Sequence, residues 1–165
     1  MKILVLSDSH SSLRFMRESI KILKPDCVIH LGDHYQDGEV IRSENPQLLF
    51  YQVPGNCDGF FGKVSAPSTV FCQVAGVKLM LTHGHGYHVK YGTDKLINCA
   101  EERGVDAVLF GHTHEALCYR ENSGLWVLNP GPAGSLGGSA GLIEICDEKI
   151  AACRIIGQAA LDALV

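Results

Sequence analysis

Apolar and polar positions fall into blocks along this chain, and the blocks set most of its elements. Residues 2–7 form a compact Ile/Leu/Val run that predicts a buried strand. Leu13, Met16, Ile20 and Leu23 then recur at helical spacing; Ser11 or Ser12 is placed to cap that helix, and Pro25 to end it. Residues 27–31 and 48–53 are the next two apolar runs, with a loop over 34–45 between them. Strand, helix, strand, loop, strand reads as an α/β unit with parallel strands.

Two β-branched runs, Thr69–Val74 and Val77–Thr82, flank Ala75-Gly76 and predict a hairpin. Thr93 caps a helix with Leu96, Ile97 and Ala100 on one face, ending near Gly104, and residues 107–110 follow as a buried strand. Beyond it the chain alternates short strands and turns. Residues 116–120, 125–128, 142–146 and 150–156 read as antiparallel strands, the Gly-rich stretch 134–141 as the most mobile-looking segment, and 158–165 as a short helix.

Composition narrows the class. The 165 residues fit a single domain spanning 1–165, and 46% hydrophobic content is a globular value. No apolar run approaches the ~18 residues of a membrane span, so a soluble protein with no membrane partner is expected. Asp8 follows the first apolar run at once, which reads as a strand rather than a signal peptide. Seven cysteines, odd in number and without a CxxC pair, argue against a disulfide framework and for a reducing cytoplasm; they read as small core or boundary residues. A net charge of -4 with 14 Lys and Arg provides no basic stripe, so long nucleic acid is not an expected ligand. A phosphate substrate would need locally positive charge, which metal ions could supply.

Candidate chemistry sits just past the predicted strands: Asp8 with His10, Asp33, Asn56, His83 with His85, and His112 with His114. Loops at the carboxyl ends of strands in open α/β sheets converge on one crevice, so sequence distance is no obstacle. Asp, His and Asn suit Mn, Fe, Co, Ni or Zn without a thiolate. His30, inside an apolar strand, reads instead as a hydrogen-bonded core histidine, and His34 and His88 as surface histidines. Glycines at 32, 55, 84 and 111 serve as turn formers that also let ligands approach.

Asp8-Ser9-His10, Gly32-Asp33, Gly55-Asn56-Cys57-Asp58, His83-Gly84-His85 and Gly111-His112-Thr113-His114 together resemble the calcineurin-like metallophosphoesterase signature, in order over residues 1–132. The small size and the GNCD tetrapeptide resemble the YfcE-type phosphodiesterases within it. The resemblance implies an α/β fold, a metallophosphoesterase-like sandwich of two mixed β-sheets flanked by helices. It implies two divalent ions, Mn foremost with Ni, Co, Fe or Zn as alternatives. Asp8, His10 and His114 would hold one ion, Asn56, His83 and His112 the other, and Asp33 would bridge them. A bridging hydroxide would attack the phosphorus of a small phosphodiester in line. The resemblance also leaves room for a homo-oligomer, a dimer or tetramer, since relatives of this kind often form one.

Cys57 stands where the wider superfamily has a histidine, and a thiol is a weak donor. His85 then becomes the first choice for the leaving-group acid, with Asp58 orienting the loop and Asn56 and Cys57 contacting substrate. Pro132 replaces a serine common after the Asn129-Pro130-Gly131 stretch. The alternatives are a non-catalytic scaffold on the same fold, as the retromer scaffold subunit of this superfamily suggests, a phosphomonoesterase, or a nuclease.

Overall fold

The computed structural model describes residues 1–59, 64–134 and 137–164. Within them two five-stranded sheets pack face to face. The first contains β1 (Lys2–Leu6), β2 (Cys27–His30), β3 (Leu49–Gln52), β9 (Ser139–Cys146) and β10 (Lys149–Gly157), in the order β10-β9-β1-β2-β3. The second contains β4 (Thr69–Val74), β5 (Val77–Thr82), β6 (Ala107–Leu109), β7 (Leu117–Arg120) and β8 (Trp126–Asn129), in the order β4-β5-β6-β8-β7. Both sheets are mixed: β1–β2–β3 and β5–β6–β8 run parallel, while β9, β10, β4 and β7 add antiparallel edges.

The contiguous apolar runs of β1, β5 and β6 follow from burial on both faces. Ile3 and Val5 point into the space between the sheets, where they meet Leu79, Leu81, Leu109 and Ile143. Leu4 and Leu6 point the other way, onto Phe15, Met16, Ile20 and Leu23 of helix α1 (Arg14–Leu23) and Leu161 of α4 (Gln158–Asp162). Met80 and Val108 cover the outer face of the second sheet under Leu96 and Ala100 of α3 (Asp94–Glu102). The result is a four-layer arrangement of helix, sheet, sheet and helix. No helix among the described residues is long and apolar enough to cross a membrane.

Four expectations are corrected. Ser11 and Ser12 do not cap α1: Leu13 holds the cap position without a side-chain bond, the Ser12 N–H donates to the Ser9 carbonyl, and the Ser11 N–H to Asp37 Oδ2. Thr93 precedes α3 but makes no capping hydrogen bond. The stretch expected as a loop over 34–45 contains a helix, α2 (Tyr35–Glu44), whose buried residues are only Asp37, Gly38 and Ile41. Its sequence has too few apolar residues to announce a face; it forms because Gly38 lets it press against the side chains of Gln52 and His30. Finally, β8 pairs antiparallel with β7 but parallel with β6. The glycine-rich stretch 134–141 ends inside β9, and its residues 135 and 136, like residues 60–63 and 165, lie outside the described residues.

His30 is fully buried at the end of β2, with Nε2 3.2 Å from Ser9 Oγ and Nδ1 without a hydrogen-bond partner. Burial pushes its pKa down to about 4, against the opposing charges of Asp37, Asp58 and Asp8. The unfolded chain takes up this proton near pH 6.5, the folded protein only near pH 4, so stability falls as pH drops through that window. Between pH 7 and pH 4.5, wild type should lose about 2 kcal/mol more than His30→Gln in urea unfolding with chelator present. Equal losses would show that His30 is not the titrating group.

Candidate metal centre

Because β1, β2, β3, β5 and β6 all run the same way within their sheets, the segments after them collect at one rim of the sandwich. Asp8 follows β1, Asp33 β2, Asn56 β3, His83 β5, and His112 and His114 β6. The backbone there turns sharply: Asp8, His10, Asp33, His112 and His114 all have positive φ, between 45° and 69°. Such conformations cost energy outside glycine, so surrounding bonds must impose them. The Asp8 N–H donates to the Gly32 carbonyl (2.9 Å), Gly134 N–H to the Asp8 carbonyl (3.2 Å) and Gly111 N–H to the His83 carbonyl (3.0 Å). Gly32, at φ +95°, lies so close to Gly55 that a Cβ would strike its backbone. Asn129 ties the Gly111–Thr113 turn to the next loop: its Nδ2 donates to the Gly111 carbonyl and to Thr113 Oγ1, both at 3.0 Å, while its Oδ1 accepts the Gly131 N–H.

The side chains so aimed form two groups. One ligand atom each from Asp8, His10, Asp33 and His114 lies within 4.8 Å of the others, and the same holds for Asp33, His83 and His112. Asp33 is common to both. Asn56 Oδ1 stands 3.2 Å from His83 Nε2, beside the second group.

Several details fit a cation at each position. The His10 and His114 Nε2 atoms face each other at 3.2 Å, and His114 Nε2 is 3.1 Å from Asp8 Oδ1. That oxygen is buried and accepts no hydrogen bond, although its partner Oδ2 takes the Ser7 hydroxyl and the His112 N–H. His83 Nδ1 is 2.7 Å from the Leu31 carbonyl, which can only accept. In the neutral ring the proton therefore sits on Nδ1 and the Nε2 lone pair faces Asp33 and Asn56. A set of facing acceptors with an orphaned buried carboxylate oxygen is what a divalent ion would satisfy.

Electrostatics keep Asp33 and His112 in metal-binding form, while the carboxylates around His83 favour its second proton until a cation takes that place. Burial opposes ionisation of Asp33, but the hydrogen bond and charge of His83 and the Cys57 N–H outweigh it, holding the carboxyl well below the usual range. Burial likewise opposes charging His83, and Asp33 and Asp8 outweigh it to raise its pKa. His112 is pushed down to about 4, mainly by burial and then by the His83 and Lys90 charges, so it is neutral at pH 7.

The remaining candidates take other places. His85 belongs to neither group; its ring centroid is 5.5 Å from that of His83 and 6.1 Å from that of His112, its Nδ1 has no partner, and burial and the His83 charge lower its pKa. Asp58 uses both oxygens on backbone: Oδ1 accepts the His34 and Tyr35 N–H groups, and Oδ2 the Gly55 N–H. The Cys57 thiol is pushed up to about 11 by burial and by Asp33, and so stays protonated. His34, read from sequence as a surface residue, packs edge-on against His10 at 5.4 Å, with Nδ1 3.0 Å from Ser11 Oγ. It lines, with Tyr35, Arg42, Asp58 and Ser65, a cavity of about 900 Å³ beside the cluster. Much of this wall belongs to α2, the helix that the sequence does not announce.

The Calcineurin-like phosphoesterase superfamily domain matches residues 1–148. A "Probable metallophosphoesterase" of Mycoplasma pneumoniae is 30% identical over 133 residues, covering 79% of this chain and 77% of its own. A phosphodiesterase of Methanocaldococcus jannaschii is 29% identical over 146 residues, covering 79% and 83%. Among solved structures, Vacuolar Protein Sorting 29 from Cryptosporidium parvum superposes with a TM-score of 0.71 at 19% identity over 95% of this chain and 98% of its own; at that identity the likeness shows the fold alone.

Proposed function

Since the chain belongs to the calcineurin-like phosphoesterase superfamily and is thus a phosphoester hydrolase, we propose that it is a metal-dependent phosphodiesterase of small phosphodiesters, with Asp33 shared between two divalent ions. The carrying observation is the pair of ligand groups with Asp33 in common. Asp8, His10 and His114 would hold one ion, and Asn56, His83 and His112 the other. Ions bound there supply Lewis acidity and an activated water nucleophile at neutral pH, in the manner of two-metal phosphoryl transfer.

The protein's own groups do the rest. The Leu31 carbonyl fixes the His83 tautomer, and the ionised Asp33 remains available to both groups at neutral pH. His85, at the rim and neutral at pH 7, offers an N–H to a departing oxygen rather than an imidazolium. Asn56 and the protonated Cys57 thiol flank the phosphoryl position. Since a neutral imidazole and the Cys57 thiol are weak proton donors, diesters with good leaving groups should turn over fastest. The scaffold alternative does not call for seven donors aimed at one rim, so their convergence favours the enzyme.

Chelation should lower hydrolysis of bis-p-nitrophenyl phosphate at least ~100-fold, with restoration by Mn, Ni or Co and a smaller rate on p-nitrophenyl phosphate. Turnover indifferent to chelator would remove the metal-dependent reading, and a monoester rate above the diester rate would reverse the substrate class.

A further inference from the structure

The second feature with chemistry of its own lies away from the metal centre, at one open edge of the sandwich. β7 ends the second sheet and β10 ends the first, so among the described residues neither has a strand beyond it. Cys118 of β7 pairs with Leu128, and Cys153 of β10 with Ile143; both partners are core residues between the sheets. The two cysteines turn into that same space, half-buried, with their Sγ atoms 3.2 Å apart although 35 residues separate them in sequence.

This meeting depends on an irregularity in β10. Ile150 pairs with Ile145 and Ala152 with Glu144, leaving Ala151 as an extra residue. Strand side chains alternate faces, so without the extra residue Ile150 and Cys153, three apart, would point to opposite sides. With it, Ile150, Cys153 and Ile155 all pack on the inter-sheet core. Both thiols are partly exposed, and a cavity of about 390 Å³, lined by Arg120, Trp126 and Ile150, lies along the same edge.

We propose that Cys118 and Cys153 are a reversible dithiol site that a small-molecule disulfide such as oxidised glutathione converts into an intramolecular bridge, stapling the two sheets at their open edge. The Cys118 thiolate attacks one sulfur of the reagent, forming a mixed disulfide and releasing one thiolate. Cys153 then loses its proton and attacks Cys118 Sγ, expelling the second thiolate. Two protein thiols are oxidised, one disulfide is reduced, and the two protons end on the released thiols. The hydrogen bond with Cys153 lowers the Cys118 pKa, while the hydrogen bond to Cys118, burial and the Cys118 charge raise that of Cys153. Burial pushes Cys27 up to about 12 and Cys72 up to about 11, which makes them poor competitors.

The full-length protein is incubated with oxidised glutathione, digested without reductant and mapped by mass spectrometry, with melting followed in parallel. A linked peptide containing Cys118 and Cys153 should form and disappear with dithiothreitol. Tm should rise by roughly 8–15 °C in the oxidised form, because the bridge closes a long loop. In Cys153→Ser the reaction should stop one step early, with one glutathione left on Cys118. Stable glutathione adducts on wild-type Cys118 or Cys153, a link from either to a third cysteine, bridging between chains, or no rise in Tm would each overturn the proposal.

Discussion

Asp33→Asn is expected to lower kcat/KM for a phosphodiester by about 10³-fold and to reduce the number of ions bound per chain. Asp33 is the one carboxylate in both ligand groups and is nearly fully buried, so no neighbouring water or side chain takes over its charge. Asparagine keeps the shape and one acceptor oxygen but loses the negative charge that two cations would share. A deficit of several kcal/mol in charge stabilisation corresponds to that loss in rate. Metal analysis and steady-state kinetics on one preparation test it. A variant that keeps both ions and turnover within about tenfold of wild type would remove Asp33 from the centre of the site.

Asp58→Ala is expected to cost about 3–4 kcal/mol of stability and roughly 6–16 °C in Tm. The buried Asp58 carboxylate accepts N–H groups from His34 (2.9 Å), Tyr35 (2.7 Å) and Gly55 (2.6 Å), which join the loops after β2 and β3. Alanine strands three donors at once, in a region where Asp33 and His34 are already held at positive φ. Asparagine should recover part of the loss, since its single carbonyl oxygen can replace one carboxylate oxygen but not both. Calorimetry of the two variants decides: an alanine variant melting within about 2 °C of wild type would show that these bonds are not what holds the loops. Activity should fall as well, because Asn56 stands between Gly55 and the Asp58 turn.

The central strands were legible because residues buried on both faces make contiguous apolar runs, and β1, β5 and β6 are such strands. The hairpin of β4 and β5 was legible from its turn. Helix α2 was not. Its apolar positions are too few, and its support comes from Gln52 and His30, residues far from it in sequence or outside its period. The direction of β8 was also hidden, since antiparallel pairing with β7 and parallel pairing with β6 place the same demands on Trp126–Asn129.

For the site, residue type and position after a strand were enough to name donors, since a carboxylate or imidazole keeps its chemistry wherever it lies. The sequence therefore determined which side chains could bind a cation and that they sit past strand ends. Tertiary structure decided the rest. It placed His114 against Asp8, 106 positions earlier, and made Asp33 common to both groups. It gave His83 its tautomer through the Leu31 carbonyl, built the cavity wall from α2, and turned Cys153 toward Cys118 through one extra residue in β10. The physical reason is that protonation, orientation and contact depend on distances of a few ångströms. Those distances are set by sheet register and packing across the whole chain, which no local run of residues encodes.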